Sequence, residues 1–116
     1  MKYIQTIDID NGNKEHLKRI LQKIASKKCC LKLQYRISTS WSHYHIRIEC
    51  SKKCDICRIV FDDSHRYRFD GKRPEKWKGL LWNTTIINNI ILKASEWITI
   101  KDINNRKLYK QPIPII

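Results

Sequence analysis

Negative charge is scarce in this 116-residue chain, where 11 Asp and Glu stand against 24 Lys and Arg for a net charge of +13. An anion is therefore the expected partner. Nucleic acid leads, because phosphate neutralisation and counterion release reward scattered cations without demanding fixed geometry. Long apolar runs are missing too. The C-terminal cluster Pro112-Ile113-Pro114-Ile115-Ile116 falls far short of the roughly 18 residues a membrane helix needs, so no membrane partner is expected. A detachable basic arm is likewise absent: residues 1–60 hold 13 Lys/Arg and 5 Asp/Glu, and residues 61–116 hold 11 and 6. The start, Met1-Lys2-Tyr3-Ile4, soon meets Asp8 and Asp10, which argues against a signal peptide and for a cytoplasmic protein. With 41% hydrophobic and 9% aromatic residues the chain can bury a core, which excludes a disordered basic tail. Its length suits one domain.

Residues 1–9 read as a strand, closed by the turn formers Asp10-Asn11-Gly12-Asn13. From Lys14 to Ser26, Leu17, Ile20, Leu21 and Ile24 recur at helical spacing, with Lys14, Lys18, Arg19 and Lys23 around the rest of the wheel. The period then drops to two. Leu31, Leu33, Tyr35 and Ile37 alternate with Lys32, Gln34, Arg36 and Ser38, and after a turn around Trp41, Tyr44, Ile46, Ile48 and Cys50 alternate with His43, His45, Arg47 and Glu49. This predicts a hairpin with one apolar face and one polar, uncovered face bearing Lys32, Arg36, His43, His45 and Arg47. A short helix over 54–63, a strand at Leu80-Leu81-Trp82, and a helix or, by its isoleucines, a strand over 86–98 complete the reading. The expected class is α+β, a βαββαβ ferredoxin-like or RRM-like antiparallel sheet with helices on one face. Residues 86–116 would be a helical or irregular C-terminal extension.

His43 and His45 lie at i and i+2, a spacing from which two imidazoles on one strand face can converge on a divalent ion. Asp8 and Asp10 share a face of the first strand, which this plan places centrally beside the histidines; Glu49 offers a further carboxylate. Mixed nitrogen and oxygen ligation suits Mn²⁺ or Mg²⁺ acting on a phosphodiester.

Two family resemblances attach to these residues. Ser42-His43-Tyr44-His45-Ile46-Arg47-Ile48 resembles the His-hydrophobic-His strand of HUH endonucleases, the rolling-circle initiators and single-tyrosine transposases. That resemblance implies a metal on His43 and His45 with Asp8, Asp10 or Glu49, and a tyrosine that nicks and rejoins single-stranded or hairpin DNA through a phosphotyrosyl link. Tyr109, among Arg106, Lys107 and Lys110, or Tyr67 would be the nucleophile. Thr6-Ile7-Asp8-Ile9-Asp10 together with Ser38-Thr39-Ser40-Trp41-Ser42-His43-Tyr44-His45 resembles archaeo-eukaryotic primases. Here Asp8 and Asp10 would bind metals, His45 the nucleotide phosphates, and Asp62, Asp63 or Asp70 would be a third carboxylate. A non-catalytic viral or plasmid DNA-binding protein is the third reading. In its isoleucine and lysine content the chain is also similar to small proteins of viruses of hyperthermophilic crenarchaea, which implies a host cytoplasm.

Five cysteines, at 29, 30, 50, 54 and 57, are compatible with buried thiols, a structural zinc or a disulfide. Trp77, Trp82 and Trp97 are expected in the core. The apolar tail 112–116 is expected to dock on its own domain or on a partner subunit in a homodimer.

Overall fold

A computed structural model describes residues 3–10, 12–39, 43–52, 56–62, 64–74 and 79–102. The first strand, β1 (Tyr3–Ile9), leads into helix α1 (Lys14–Ala25), whose first turn is capped by the Asn13 side chain accepting from the Glu15 and His16 amides. Leu17, Ile20, Leu21, Ile24 and Ala25 form the buried stripe of α1, as the spacing predicts. Strands β2 (Cys30–Ile37) and β3 (Tyr44–Cys50) make the expected hairpin, with the Ser38 amide donating to the His43 carbonyl across the turn. Their apolar alternation buries Leu33, Tyr35, Ile37, Tyr44, Ile46, Ile48 and Cys50 against α1 and the Ile7 and Ile9 side chains of β1.

Two short helices follow, α2 (Ile56–Phe61) and α3 (Ser64–Asp70). Beyond them the chain departs from expectation. Leu80-Leu81-Trp82 forms no strand, and residues 84–93 form a separate two-stranded hairpin, β4 (Thr84–Ile87) and β5 (Ile90–Lys93). Asn88 and Asn89 turn this hairpin with φ of 53° and 65°, the left-handed pair that a two-residue connection requires and that Asn tolerates. β-Branched isoleucine pairs on either side of such a turn favour strand over helix, which decides between the two readings of this segment.

Strand β6 (Ile98–Asp102) then joins the main sheet, whose order is β1-β3-β2-β6, antiparallel throughout. The domain is thus α+β, but its last strand pairs with β2 rather than flanking β1. In the described sheet β1 is an edge and not the centre.

The outward backbone groups of that edge find side-chain partners instead of a strand. The Asp8 amide donates to Asp62 Oδ1 at 2.8 Å, and Arg66 Nη1 donates to the Thr6 carbonyl at 3.0 Å. Asp62 and Arg66, ion-paired at 2.9 Å, reproduce the acceptor and donor of a neighbouring strand. The edge is closed to sheet extension at that point. Nor is the polar sheet face left open, because Arg36, Gln34, His45 and Ser38 are all buried. Arg36 Nη2 and Nη1 lie 3.4 Å from the Trp82 carbonyl and Asn83 Oδ1, so this strap covers the sheet face at the His45 end.

Candidate functional site

Strand register builds the site. His45 on β3 stands directly opposite Asp8 on β1 and Arg36 on β2, so three adjacent strands set an Asp-His-Arg row across the polar face. Arg36 Nε donates to His45 Nδ1 at 3.1 Å, and His45 Nε2 faces Asp8 Oδ1 at 4.0 Å. A guanidinium only donates, so Nδ1 must accept and the proton of the neutral ring sits on Nε2. Burial, reinforced by the positive charge of Arg36, Arg66 and His43, lowers the His45 pKa to about 4. His45 is therefore neutral at physiological pH and presents an N–H donor.

His45 lines a cavity of about 310 Å³. Its polar wall is Asp8, His43, His45, Arg66 and Arg73 with the neighbouring Ser38 and Thr39, and its apolar wall is Phe69, Leu80, Leu81 and Trp82. Trp82 is 63% exposed rather than packed in the core as expected, and lines the cavity. Trp97 lies under Arg36, whose guanidinium carbon is 4.3 Å from the ring centroid.

The arginines are held by a buried ion network. The Asp62 carboxylate is fully buried and accepts from Arg58 Nε and Arg66 Nη1, each at 2.9 Å. Asp70 pairs with Arg58 and, at 3.4 Å, with Arg73, and accepts from the Gly79 amide at 3.0 Å. Arg66 Nη2 also reaches Thr6 Oγ1 at 2.8 Å, and that hydroxyl donates to the Gly79 carbonyl. Burial lowers the Arg66 pKa, an effect the Asp62 carboxylate opposes. Arg73, 40% exposed along its side chain, is the more open of the two cavity arginines.

Of the residues singled out by sequence, Asp8, His43 and His45 come together in this cavity. Asp10 is exposed, beyond the end of β1 and outside the lining. Glu49 lies four residues along β3 from His45, about 13 Å away at strand rise, where it stands opposite Lys32 and 3.6 Å from Arg47. The described residues contain no group of three or more His, Cys, Asp or Glu positioned to hold a metal ion. Lys32, Arg36 and Arg47, expected together on an uncovered face open to nucleic acid, do not form a continuous basic surface, since Arg36 is an internal partner of His45 and Arg47 donates to Gln34 Oε1 at 2.9 Å. Two of the candidate third carboxylates, Asp62 and Asp70, are engaged by arginines. Asp63, Tyr109, Arg106, Lys107, Lys110, Cys54, Trp77 and the tail 112–116 lie outside the described residues, as do the side chains of Tyr67 and Cys57. Cys30 and Cys50 face each other across β2 and β3 as buried, unbridged thiols.

Arg66 and Arg73 were not anticipated as site residues. A signal for Arg66 was present: Arg58, Asp62, Arg66 and Asp70 alternate in sign at every fourth position, the spacing of ion pairs along one helical face. No protein-family model matches the chain, and no curated protein or solved structure is significantly similar to it.

Proposed function

We propose that the cavity binds a phosphate of a nucleotide or of single-stranded DNA, and that the protein handles nucleotides in the manner of a primase-polymerase. The observation that carries this reading is the Arg36–His45 hydrogen bond. With Nδ1 occupied, Nε2–H suits an anionic oxygen, whereas metal ligation needs a lone pair on that nitrogen. Arg66 and Arg73 add positive charge on the same wall, and the exposed Trp82 offers a stacking surface.

Asp8 is the carboxylate within the cavity, and Asp10 follows two residues later, just beyond the end of the strand and outside the lining. One or two carboxylates together with substrate phosphates are the usual donor set for Mg²⁺ or Mn²⁺, so Asp8 would hold the ion that arrives with a nucleotide and neutralises its phosphate charge. The chain's own part is to orient the phosphate. Neutral His45 donates one hydrogen bond, Arg73 swings from Asp70 to a second oxygen, and Phe69, Leu80 and Leu81 keep water from the apolar side.

The nicking-and-joining reading draws support from the shared position of His43 and His45 on this cavity. A single substitution separates the two. His45→Gln keeps a side-chain N–H donor and removes the imidazole. In titrations with a deoxynucleoside triphosphate or a short oligonucleotide, His45→Gln should retain affinity within about threefold, while His45→Leu should lose at least tenfold. Template-dependent dinucleotide synthesis by the wild type would extend the reading to catalysis. A denaturant-resistant protein–DNA adduct, lost in Tyr109→Phe and equally in His45→Gln, would overturn it in favour of the nuclease.

A further inference from the structure

The longest uncharged stretch of this highly charged chain is residues 79–92, fourteen positions without Asp, Glu, Lys or Arg. It contains nearly all of the β4–β5 hairpin. Ile86 opposes Ile91 on one face of that ribbon and Ile87 opposes Ile90 on the other, with exposures of 70%, 71%, 50% and 62%. Among the described strands β4 and β5 pair only with each other, so both outer edges present backbone donors and acceptors. A two-stranded ribbon with its isoleucines in water is marginal alone. The features together describe a surface built to be covered.

We infer that the β4–β5 hairpin is a homodimer contact, covered by the same hairpin of a second copy of this chain. Charge selects the occupant. On the hairpin itself nucleic acid finds no cation before Lys93 at the end of β5. Two copies that each carry +13 repel one another through most approaches, whereas through this stretch no like charges meet. The ribbon is also self-complementary. A twofold axis beside β4 or β5 pairs identical edges antiparallel, joins two two-stranded ribbons into one four-stranded sheet, and brings isoleucine against isoleucine. The hairpin is anchored at its base, where the Ala94 amide donates to the Asn83 carbonyl at 2.7 Å and Ser95 bonds with Ile37 on β2, so a second copy meets a pre-formed element. This inference does not depend on the phosphate reading of the cavity.

Sedimentation equilibrium of the full chain over a range of concentrations tests it. The mass should rise toward twice 14.0 kDa. Association should tighten when salt is raised from about 0.1 M to about 0.5 M, because screening removes the repulsion between copies; an assembly bridged by nucleic acid would instead weaken. The pairs Ile86→Lys with Ile91→Lys and Ile87→Lys with Ile90→Lys alter exposed positions only. Each should weaken self-association at least tenfold while circular dichroism and nucleotide binding stay at the wild-type level. Amide exchange in residues 84–93 of the unaltered chain should slow as protein concentration rises. A monomer at every concentration, a dimer equally tight in both variants, concentration-independent exchange in the hairpin, or a monomer that sediments instead with phosphatidylcholine vesicles would each overturn the inference.

Discussion

His45 owes its behaviour to Arg36. A histidine that accepts from a guanidinium at Nδ1 loses stability on protonation twice over, through desolvation and through the charges of Arg36, Arg66 and His43. In the unfolded chain the imidazole takes its proton near pH 6.5, and in the folded protein only near pH 4. Between these values the unfolded state binds more protons, so native stability falls as the pH falls through this window and is unaffected by His45 above it. His45→Gln should remove this component. The stability lost between pH 7 and pH 4.5 in urea titrations should be about 2 kcal/mol smaller in the variant than in the wild type. Arg36→Leu should release the ring, and ¹⁵N chemical shifts would then show an upward shift of the His45 pKa and a mixed tautomer. A His45 that titrates near pH 6.5 in the wild type would remove the basis for the donor assignment.

Elements are joined in this protein by side chains as much as by sheet pairing. The Asp62–Arg66 pair closes the β1 edge and also sets Arg66 in the cavity wall, so site and edge share one support. Asp62→Asn leaves the buried Arg58 and Arg66 to share Asp70 as their counter-charge and should cost about 3 kcal/mol in chemical denaturation. Gly79 is the other support. Its φ of 74° is left-handed, and an added Cβ would sit 3.3 Å from Thr6 Oγ1, so Gly79→Ala should destabilise by about 1–2 kcal/mol. The helical spacing of α1 and the two-residue alternation of β2 and β3 were legible because each buries one continuous apolar stripe. Residues 80–98 were not legible in the same way. Isoleucine suits helix and strand faces alike when no polar alternation breaks the run, and only the Asn88-Asn89 turn, with both residues at positive φ, settled the matter.

At the scale of the whole molecule, the surplus positive charge is spread along both halves of the sequence rather than gathered in one basic run. Nucleic-acid binding should therefore be strongly salt-dependent, with each neutralised phosphate adding about −0.7 to the slope of log K against log salt on single strands. Arg73→Ala should reduce that slope by about one phosphate with little change in thermal midpoint, because its pair with Asp70 is half-exposed. An unchanged slope would take Arg73 out of the ligand path. Among the described residues no helix is long and apolar enough to cross a membrane, in line with the short apolar runs of the sequence. The sequence by itself determined the α+β class, the pairing of β1 with the histidine strand, and the meeting of Asp8, His43 and His45, since hydrophobic periodicity and strand alternation are local and survive without knowledge of distant partners. Tertiary structure alone decided that Arg36 turns inward onto His45, that an Asp–Arg pair borders β1 in place of a strand, and that β6 adds to β2. Those outcomes depend on which distant group reaches a buried donor or acceptor first, and that competition leaves no period in the chain.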